Sequence, residues 1–260
     1  MKLGINIDHI AVLREARRIN DPDPLHALSI CSHAGADHIT IHLREDRRHI
    51  NDIDAAKIIK LSPLPVNMEC ANNEEIIDFA CEHKPLRATL VPERREEITT
   101  EGGLDIISSR NSLKNTIKRL HDAEIEVSLF IDPNRKMVEA AKELGVDWIE
   151  FHTGRYANIF AMLYGGLRGT PYAIEELKLP REKLKNMLAN ELKKLRRLSY
   201  DSAELGLMVA AGHGLNYHNI KPVCEIETIE ELNIGQSIIA RSVFCGLEKA
   251  IRDMKDLISG

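Results

Sequence analysis

Short strand-like runs alternate with helix-like segments along the whole chain, and this alternation restricts the fold more than any other feature. The strand-like runs are Leu3–Asp8, His38–Leu43, Val66–Cys70, Arg87–Val91, Glu126–Asp132, Asp147–Thr153, Leu207–Gly212 and Leu232–Gly235. Helical periodicity covers Pro24–Ala34, Asp54–Leu61, Glu74–Glu82, Leu113–Ala123, Lys136–Leu144, Glu182–Leu205 and approximately Ser237–Leu257. Eight strands, each followed by a helix, predict an α/β fold, the (β/α)8 TIM barrel, with residues 1–260 forming a single domain.

The alternation within the strands predicts which side chains face the inside of the barrel. In the sixth strand, Ile149 and Phe151 share one face, while Glu150 and His152 share the other. The first three strands alternate in the same way. In a barrel, the apolar face packs under the helices and the polar face points into the lumen. Four strands therefore direct carboxylates, imidazoles and amides at one space near their C-terminal ends, where barrel enzymes have their active sites. A doubly wound or two-sheet fold gives no such convergence and ranks second.

The segment after the sixth strand departs from the regular pattern. Residues Arg155–Leu179 contain Gly165-Gly166, Gly169 and Pro171 among aromatic residues. Long irregular connections in compact domains commonly have a function of their own. We therefore expect an extra helical insertion or inserted loop after the sixth strand, acting as a lid or as an oligomer contact.

Charge and hydropathy exclude several classes of protein. The 260 residues are 29% charged and 43% hydrophobic, and the formal net charge is -5. A negative balance argues against nucleic acid as the main partner, because binding to a phosphate backbone requires a basic surface. No run approaches the ~18 apolar residues of a membrane helix. The first residues have the pattern of a strand and not of a signal sequence. We expect a cytoplasmic protein with neither a nucleic-acid nor a membrane partner.

The densest group of titratable side chains follows the second strand. The stretch Thr40-Ile41-His42-Leu43-Arg44-Glu45-Asp46-Arg47-Arg48-His49 changes from an apolar strand to charged residues without a linker. Ionic groups beside a core require a partner or a charged ligand. Arginine guanidinium groups together with an imidazole suit an anionic substrate, foremost a phosphate ester, on which a proton must be moved.

Further acid–base candidates lie at the ends of other strands. Glu69 ends the third strand, where desolvation would raise its pKa and suit it to proton transfer near neutral pH. An ion pair between Glu69 and Arg44 is the alternative role for this carboxylate. Glu150 and His152 lie at the end of the sixth strand, and His213 follows the seventh. We expect these groups to converge on one site.

Two glycine-containing turns predict an anion-binding site. His213 lies between Gly212 and Gly214, where the lack of side chains lets a ligand approach the backbone. Gly235-Gln236 joins the eighth strand to the last helix. Backbone N–H groups at a helix start bind anions, and TIM barrels often bind phosphate after strands seven and eight.

A metal centre is disfavoured by the same residues. The possible ligands are His9, His42, His49, His152, His213, Asp8, Glu69 and Glu150. The neighbouring arginines would repel a cation, and the sequence has no His-x-His or His-Glu-x-x-His pair. We expect no metal.

Several sequence strings together resemble the pyridoxine 5'-phosphate synthase family. They are Asn6-Ile7-Asp8-His9-Ile10-Ala11, the stretch from His42 to Ile50, Val91-Pro92-Glu93, Thr99-Thr100-Glu101-Gly102-Gly103-Leu104-Asp105, Ala211-Gly212-His213-Gly214-Leu215 and Glu231-Leu232-Asn233-Ile234-Gly235. The resemblance covers nearly the whole chain. It implies a TIM barrel that condenses 1-deoxy-D-xylulose 5-phosphate with 3-amino-2-oxopropyl phosphate and releases phosphate and water. It also implies a homooctamer and no cofactor.

The resemblance implies a role for each site residue. His42 and Glu69 would accept protons, His213 would donate one, and Glu150 would stabilise charged intermediates. The residues that would hold deoxyxylulose phosphate are Asp8, His9, Arg44, His49 and Thr99. Those that would hold the amino ketone phosphate are Asn6, Arg17, Gly214, Gly235 and Gln236. The segment Thr99–Gly103 would close over the site, with its glycines as hinges.

The chain departs from the family pattern at two places, and two alternative functions remain open. The family often has histidine after the glycine of the last turn, whereas this chain has Gln236, and Arg155–Leu179 is longer than usual. Another phosphosugar-processing TIM-barrel lyase or isomerase is one alternative, although no predicted strand offers an inward lysine for a Schiff base. A non-catalytic phosphate-ligand sensor is the other. It would need anion contacts but no convergence of His42, Glu69 and His213.

Overall fold

The computed structural model describes residues 1–93 and 102–259. Eight parallel strands form a closed barrel, in which each strand pairs with the next along the chain and β8 pairs with β1. The strands are β1 Lys2–Asn6, β2 His38–His42, β3 Val66–Cys70, β4 Arg87–Leu90, β5 Glu126–Ile131, β6 Trp148–His152, β7 Met208–Gly212 and β8 Glu231–Ile234. The TIM barrel predicted from the sequence is confirmed.

Helices surround the barrel. They are α1 Asp8–Glu15, α2 Ala27–His33, α3 Asp52–Leu61, α4 Glu74–His83, α5 Arg110–Asp122, α6 Arg135–Leu144, α7 Gly154–Leu163, α8 Arg181–Glu204, α9 Lys221–Cys224, α10 Gln236–Cys245 and α11 Leu247–Ser259. Short 3-10 turns cover Pro24–His26, Leu167–Gly169 and Glu175–Leu177. Within the described ranges, none of the helices combines the length and the apolar character needed to span a membrane.

Some elements differ from the sequence-based prediction, and for the segment after β6 the prediction allowed either a helix or a loop. The first strand ends at Asn6, and Asp8, which was predicted as strand, begins α1. The last helix is broken at Gly246, whose φ of 82° lies in the left-handed region that glycine adopts without strain. The first part of the irregular segment after β6 is a regular helix, α7. Two 3-10 turns then lead to α8.

The core lies between the barrel and the helices. The outward-facing side chains of the strands, such as Ile5, Ile41 and Phe151, are fully buried there. Complete burial of one such side chain stabilises the fold by roughly 1.5–3 kcal/mol. The predicted apolar face of each strand is therefore used for packing, which leaves the polar face for the lumen.

A buried polar cluster fills the lower part of the lumen. The Arg87 guanidinium lies 2.8 Å from the Glu231 carboxylate and 3.2 Å from that of Glu126. It also stacks over the Trp148 ring at 3.7 Å. Paired charges offset much of the cost of removing them from water. Because this cluster occupies the end of the barrel where the strands begin, the opposite end remains for a site.

Candidate active site

Asp8 links the ends of the first two strands. Its Oδ1 accepts a hydrogen bond from the backbone N–H of His42 at 3.0 Å, and its Oδ2 accepts one from Asn6 Nδ2 at 3.0 Å. Burial raises the pKa of Asp8 to about 6, against the lowering effect of His42. The predicted residues Asn6, Asp8 and His42 are thus adjacent at the mouth of the barrel.

His42 lies between two carboxylates. Its Nε2 is 2.8 Å from Glu93 Oε1, and its Nδ1 is 3.9 Å from Glu69 Oε2. The other oxygen of Glu93 accepts the backbone N–H of Glu45 at 3.0 Å. Burial raises the pKa of Glu93, but the hydrogen bonds from His42 and Glu45 bring it below its usual value. An ionised carboxylate only accepts hydrogen bonds, so Nε2 of His42 carries a proton.

Glu69 and Glu150 are carboxylates with raised proton affinity. Burial raises the pKa of Glu69 well above its ordinary value, and the charges of Glu150 and Asp8 raise it further. Burial also raises the pKa of Glu150 to about 8, although a hydrogen bond from Asn233 opposes this. Two carboxylic acids whose pKa values are raised by burial are characteristic of sites that perform acid–base chemistry.

Asn233 holds Glu150 in position. Its Nδ2 donates to Glu150 Oε2 at 2.7 Å. Its Oδ1 lies 2.8 Å from His38 Nε2 and accepts from Thr40 Oγ1 at 3.2 Å. A Cβ atom on Gly212 would lie only 2.2 Å from Glu150 Oε1, so this strand residue must be glycine for the carboxylate to occupy its place.

His152 and His213 form a second group on the opposite side of the mouth. Their ring centroids are 4.8 Å apart, and Phe130 packs against both rings. His152 Nδ1 lies 3.1 Å from Asp132 Oδ1. Burial, followed by the charge of His152, lowers the pKa of His213 to about 4. His213 has a φ of 76°, a strained backbone conformation for a residue with a side chain.

Of the predicted phosphate ligands after β2, Arg44 is buried and His49 is half-buried. Arg44 is 4% exposed and is paired with Asp46 at 3.3 Å, so the alternative ion pair with Glu69 is not found. Nδ1 of His49 accepts the backbone N–H of Ile50 at 2.8 Å. Burial, together with the charge of His42, lowers the pKa of His49 to about 3, so its ring is neutral and carries its proton on Nε2.

Further predicted substrate-binding residues within the described ranges lie in or next to the turns after β8, after β7 and after α1. Gly235 precedes α10, and a Cβ atom at this position would lie 2.8 Å from the Cβ of Asn6. The turn after β8 is therefore in close contact with the end of β1. Gly214, with φ +79°, follows His213, and Gln236 is the first residue of α10. Arg17 lies on an exposed turn after α1, with no side-chain hydrogen bond or ion pair within the described ranges. Thr99 lies outside the described residues.

A cavity of about 310 Å³ opens beside this cluster. It is lined by Arg44, Glu45, Asp46, Arg47, Asn73, Glu75 and Glu93. Arginine and acidic side chains share its wall, so a bound anion would compete with the acidic residues for the guanidinium groups. Across residues 1–93 and 102–259, no group of three His, Cys, Asp or Glu side chains is arranged to hold a metal ion.

Sequence reasoning missed several polar residues of this site. They are Glu93, to which only a motif was assigned, and Asp132, Asn233 and His38, which received no role. The alternation of Glu231 and Asn233 with Leu232 and Ile234 could have identified Asn233 as a lumen residue. Glu93 is the third residue after β4 and Asp132 the first after β5, at the end of the barrel where active sites lie.

The chain matches the model of the family described as pyridoxal phosphate biosynthesis protein PdxJ over residues 3–260. The chain belongs to this family. It is therefore an enzyme with a role in vitamin B6 biosynthesis, and the resemblance predicted from the sequence strings is confirmed.

Similar proteins agree with membership of the PdxJ family. The pyridoxine 5'-phosphate synthase of Sulfurovum sp. (strain NBC37-1) is 64% identical, with 99% of this chain and 100% of the relative covered. The pyridoxine 5'-phosphate synthase of Aliarcobacter butzleri (strain RM4018) is 61% identical, with 99% of each covered.

Solved structures with low sequence identity share the fold alone. Phosphoribosylanthranilate isomerase from Thermotoga maritima has a TM-score of 0.58 at 13% identity, covering 100% of this chain and 99% of that one. A 3-hexulose-6-phosphate synthase has a TM-score of 0.59 at 12% identity, covering 99% of this chain and 100% of the other. The similarity between this PdxJ-family chain and these enzymes therefore concerns the barrel fold and not the activity.

Proposed function

We propose that this member of the PdxJ family condenses 1-deoxy-D-xylulose 5-phosphate with 3-amino-2-oxopropyl phosphate. The products are pyridoxine 5'-phosphate, inorganic phosphate and water. One observation carries this proposal: His42 is held at Nε2 by Glu93, and its Nδ1 lies 3.9 Å from the Glu69 carboxylate. Two proton-carrying groups at one point suit a condensation in which an amine loses protons and a carbonyl oxygen gains them.

His42 and Glu69 act as the proton acceptors. Burial and the neighbouring carboxylates raise the pKa of Glu69. The ammonium group of the amino ketone would bring a positive charge close to Glu69, which favours the ionised carboxylate. Glu69 then removes a proton from nitrogen, and the amine becomes nucleophilic. His42, with its Nε2 proton held by Glu93, offers Nδ1 as a second base for ring closure.

Glu150 and His213 act on the oxygen atoms of the substrates. Glu150 titrates at a pKa of about 8 because of burial, so it is protonated at neutral pH. Its Oε2 accepts from Asn233, so Oε1 is the oxygen that can donate a proton or a hydrogen bond to a developing oxyanion. His213 donates a proton to a leaving oxygen when water or phosphate departs.

The two phosphate groups bind at different parts of the mouth. Asp8, His9, Arg44 and His49 hold deoxyxylulose phosphate, together with Thr99, which lies outside the described residues. Asn6, Arg17, Gly214, Gly235 and Gln236 hold the amino ketone phosphate. Arg44 supplies a charge-assisted hydrogen bond and His49 a neutral N–H donor. Gln236 begins α10, where backbone N–H groups point outward toward an anion.

We further propose that each chain forms a single barrel domain and that the chains assemble into a homooctamer in the cytoplasm. Phe244 is 91% exposed and Val243 is 69% exposed on α10. Val12 and Leu13, which are 43% and 51% exposed, lie on α1, which packs against α10. Exposed apolar side chains on adjacent helices suit contact with another copy of the chain.

One assay tests the proposal. The purified protein is mixed with both phosphorylated substrates, and the absorbance of the pyridoxine ring and the release of phosphate are followed together. Equal amounts of the two products are expected. Conversion of a single phosphosugar without the amino ketone would favour the lyase or isomerase alternative. Binding of both compounds without any turnover would favour the phosphate sensor.

A further inference from the structure

His152 is a buried imidazole to which the steps above assign no role. It is 6% exposed, and its Nδ1 lies 3.1 Å from Asp132 Oδ1. Its Nε2 is buried and has no hydrogen-bond partner among the described residues. A buried nitrogen without a partner costs roughly 1–3 kcal/mol. Native proteins rarely keep a buried polar atom without a partner, and a role in the reaction is one reason for such an exception.

The unpartnered face of His152 adjoins His213. The two ring centroids are 4.8 Å apart. A Cβ atom on Gly154 would lie 2.5 Å from His152 Nε2 and 3.0 Å from His213 Cδ2, so both rings border the same small space at the start of α7. This position has room for both rings only because it is glycine.

Thr153 fixes the relation between the two rings. Its single Oγ1–H is shared between the backbone carbonyl oxygens of Gly212 and His213, which both lie 2.7 Å from Oγ1. Its backbone N–H donates to the carbonyl of Gly212 at 2.8 Å. The end of β6, which carries His152, is thereby tied to the turn that carries His213. The contact between the imidazoles is therefore built into the site.

The hydrogen bond to Asp132 places a proton on one nitrogen of His152. This bond lowers the pKa of Asp132, so the carboxyl is ionised and can only accept, which puts a proton of His152 on Nδ1. A proton on Nε2 faces the space that both rings border. Burial and the charge of His152 lower the pKa of His213 to about 4. The groups that face the pair are Asp132 after β5, His213 after β7 and the N-terminal end of α7, while Lys194 of α8 acts on Asp132.

We propose that His152, anchored by Asp132, is a positioning residue for His213 that holds the proton of the imidazole pair and resupplies it. This inference rests on the proposed role of His213 as the proton donor. As a substrate oxygen takes the N–H proton of His213, a small rotation of the adjacent rings brings the other nitrogen of His213 to His152 Nε2, and that nitrogen takes the Nε2 proton. His213 stays neutral, His152 becomes neutral beside ionised Asp132, and the substrate gains one proton. A proton from solvent then restores His152.

The experiment measures kcat against pH from 5.5 to 9 in five proteins. They are the wild type, Asp132→Asn, Asp132→Glu, His152→Gln and the double variant Asp132→Asn/His152→Gln. Loss of the carboxylate charge should move the alkaline limb of the profile to lower pH by about one unit or more. The turnover of Asp132→Asn at pH 8 should then be reduced at least about tenfold more than at pH 6. Asp132→Glu should keep the limb near that of the wild type.

The double variant distinguishes a proton relay from packing. Once His152 is replaced, Asp132→Asn should cause no further change, because Asp132 acts through the imidazole. His121→Gln is the control, since His121 forms a similar pair with Asp147 at 2.9 Å on the surface.

Two results would overturn the inference. One is an equal loss of kcat at all pH values in Asp132→Asn with the alkaline limb unmoved. The other is additive losses in the double variant. Thermal unfolding followed by circular dichroism identifies any misfolded variant. If Asp132→Asn misfolds, His152→Gln decides, because it should change the alkaline limb of the profile, whereas a packing role would lower kcat equally at all pH values. If the wild type forms no pyridoxine ring at all, the proposed function fails before any variant is compared.

Discussion

The carboxylate of Glu93 accepts a hydrogen bond from the imidazole of His42, with 2.8 Å between Oε1 and Nε2. The two residues lie 51 positions apart in the chain: His42 is the last residue of β2, and Glu93 follows β4. Because Glu93 is ionised, this bond holds the His42 proton on Nε2 and leaves Nδ1 on the side of Glu69. Glu93 therefore determines which nitrogen of His42 can act as a base.

We expect Glu93→Gln to reduce kcat by about 10- to 100-fold with little change in KM. A glutamine amide can offer either N–H or C=O to Nε2, so the imidazole is no longer held in one tautomer. A comparable loss of metal affinity or activity, about 10- to 100-fold, follows when the carboxylate partner of a metal-bound histidine is removed. Steady-state kinetics with both substrates measures the effect.

Glu75→Gln is the matched control for this change. Glu75 lines the same cavity but is paired with Arg47 and is exposed. We expect its kcat to stay close to the wild-type value. If both variants lose turnover equally, charge at the mouth is responsible and the orientation of His42 is not.

Replacement of the proton-transfer groups should separate turnover from binding. His42→Asn, Glu69→Gln and His213→Asn keep approximate shape but cannot transfer protons as the native groups do. Each should lose about 10²–10⁴-fold in kcat. Isothermal titration with each substrate alone should still show binding. Loss of binding with kcat preserved at saturation would instead make these residues substrate-positioning groups.

Arg44→Ala should weaken the binding of deoxyxylulose phosphate by about one to two powers of ten. Charge-assisted hydrogen bonds are worth roughly 1.5–3 kcal/mol each. Arg44 is nearly fully buried and has an ion pair with Asp46 at 3.3 Å. Arg110→Ala serves as the control, because Arg110 has an exposed ion pair with Glu143. Unchanged affinity in folded Arg44→Ala would mean that the arginine has only a structural role.

Glu150→Gln should alter how stability depends on pH. Burial raises the pKa of Glu150 from 4.5 to about 8 in the folded chain. Between these values the unfolded chain has released a proton that the native state retains, so the free energy of unfolding falls as pH rises. The slope is at most roughly 1.4 kcal/mol per pH unit for this group. The variant lacks this group and should lose less stability between pH 5.5 and 7.5.

Urea denaturation at the two pH values measures this difference. Glu139→Gln is the control, since Glu139 forms an exposed pair with Arg135. Glu69 contributes a pH dependence of the same sign, and this contribution becomes smaller in the variant because the charge of Glu150 no longer raises the pKa of Glu69. Both changes make the variant lose less stability as pH rises. An identical loss of stability in wild type and Glu150→Gln would show that Glu150 is already ionised at pH 5.5.

Removal of metal ions should leave activity unchanged. The buried guanidinium of Arg44 lies in the same mouth as the histidines and disfavours a cation there. Dialysis against EDTA followed by the two-substrate assay tests this expectation. Loss of turnover that a divalent metal restores would contradict it.

The sequence alone determined the architecture and the strand ends that carry the site. Period-two alternation in the strands and helical periodicity between them are local properties, so they identified the barrel and put His42, Glu69 and Glu150 on its inner face. The sequence strings also identified the family. The break at Gly246 was missed because the periodicity of α10 and α11 continues across it.

The tertiary structure decided which of these side chains pair with one another. Glu93 meets His42, Asn233 meets Glu150 and Asp132 meets His152 across separations of 51, 83 and 20 residues. It also paired Arg44 with Asp46, whereas the sequence left Glu69 open as its partner. Such contacts depend on barrel closure, strand register and side-chain rotamers. Periodicity reports only the face on which a residue lies, and a hydrogen bond requires two atoms within about 3 Å.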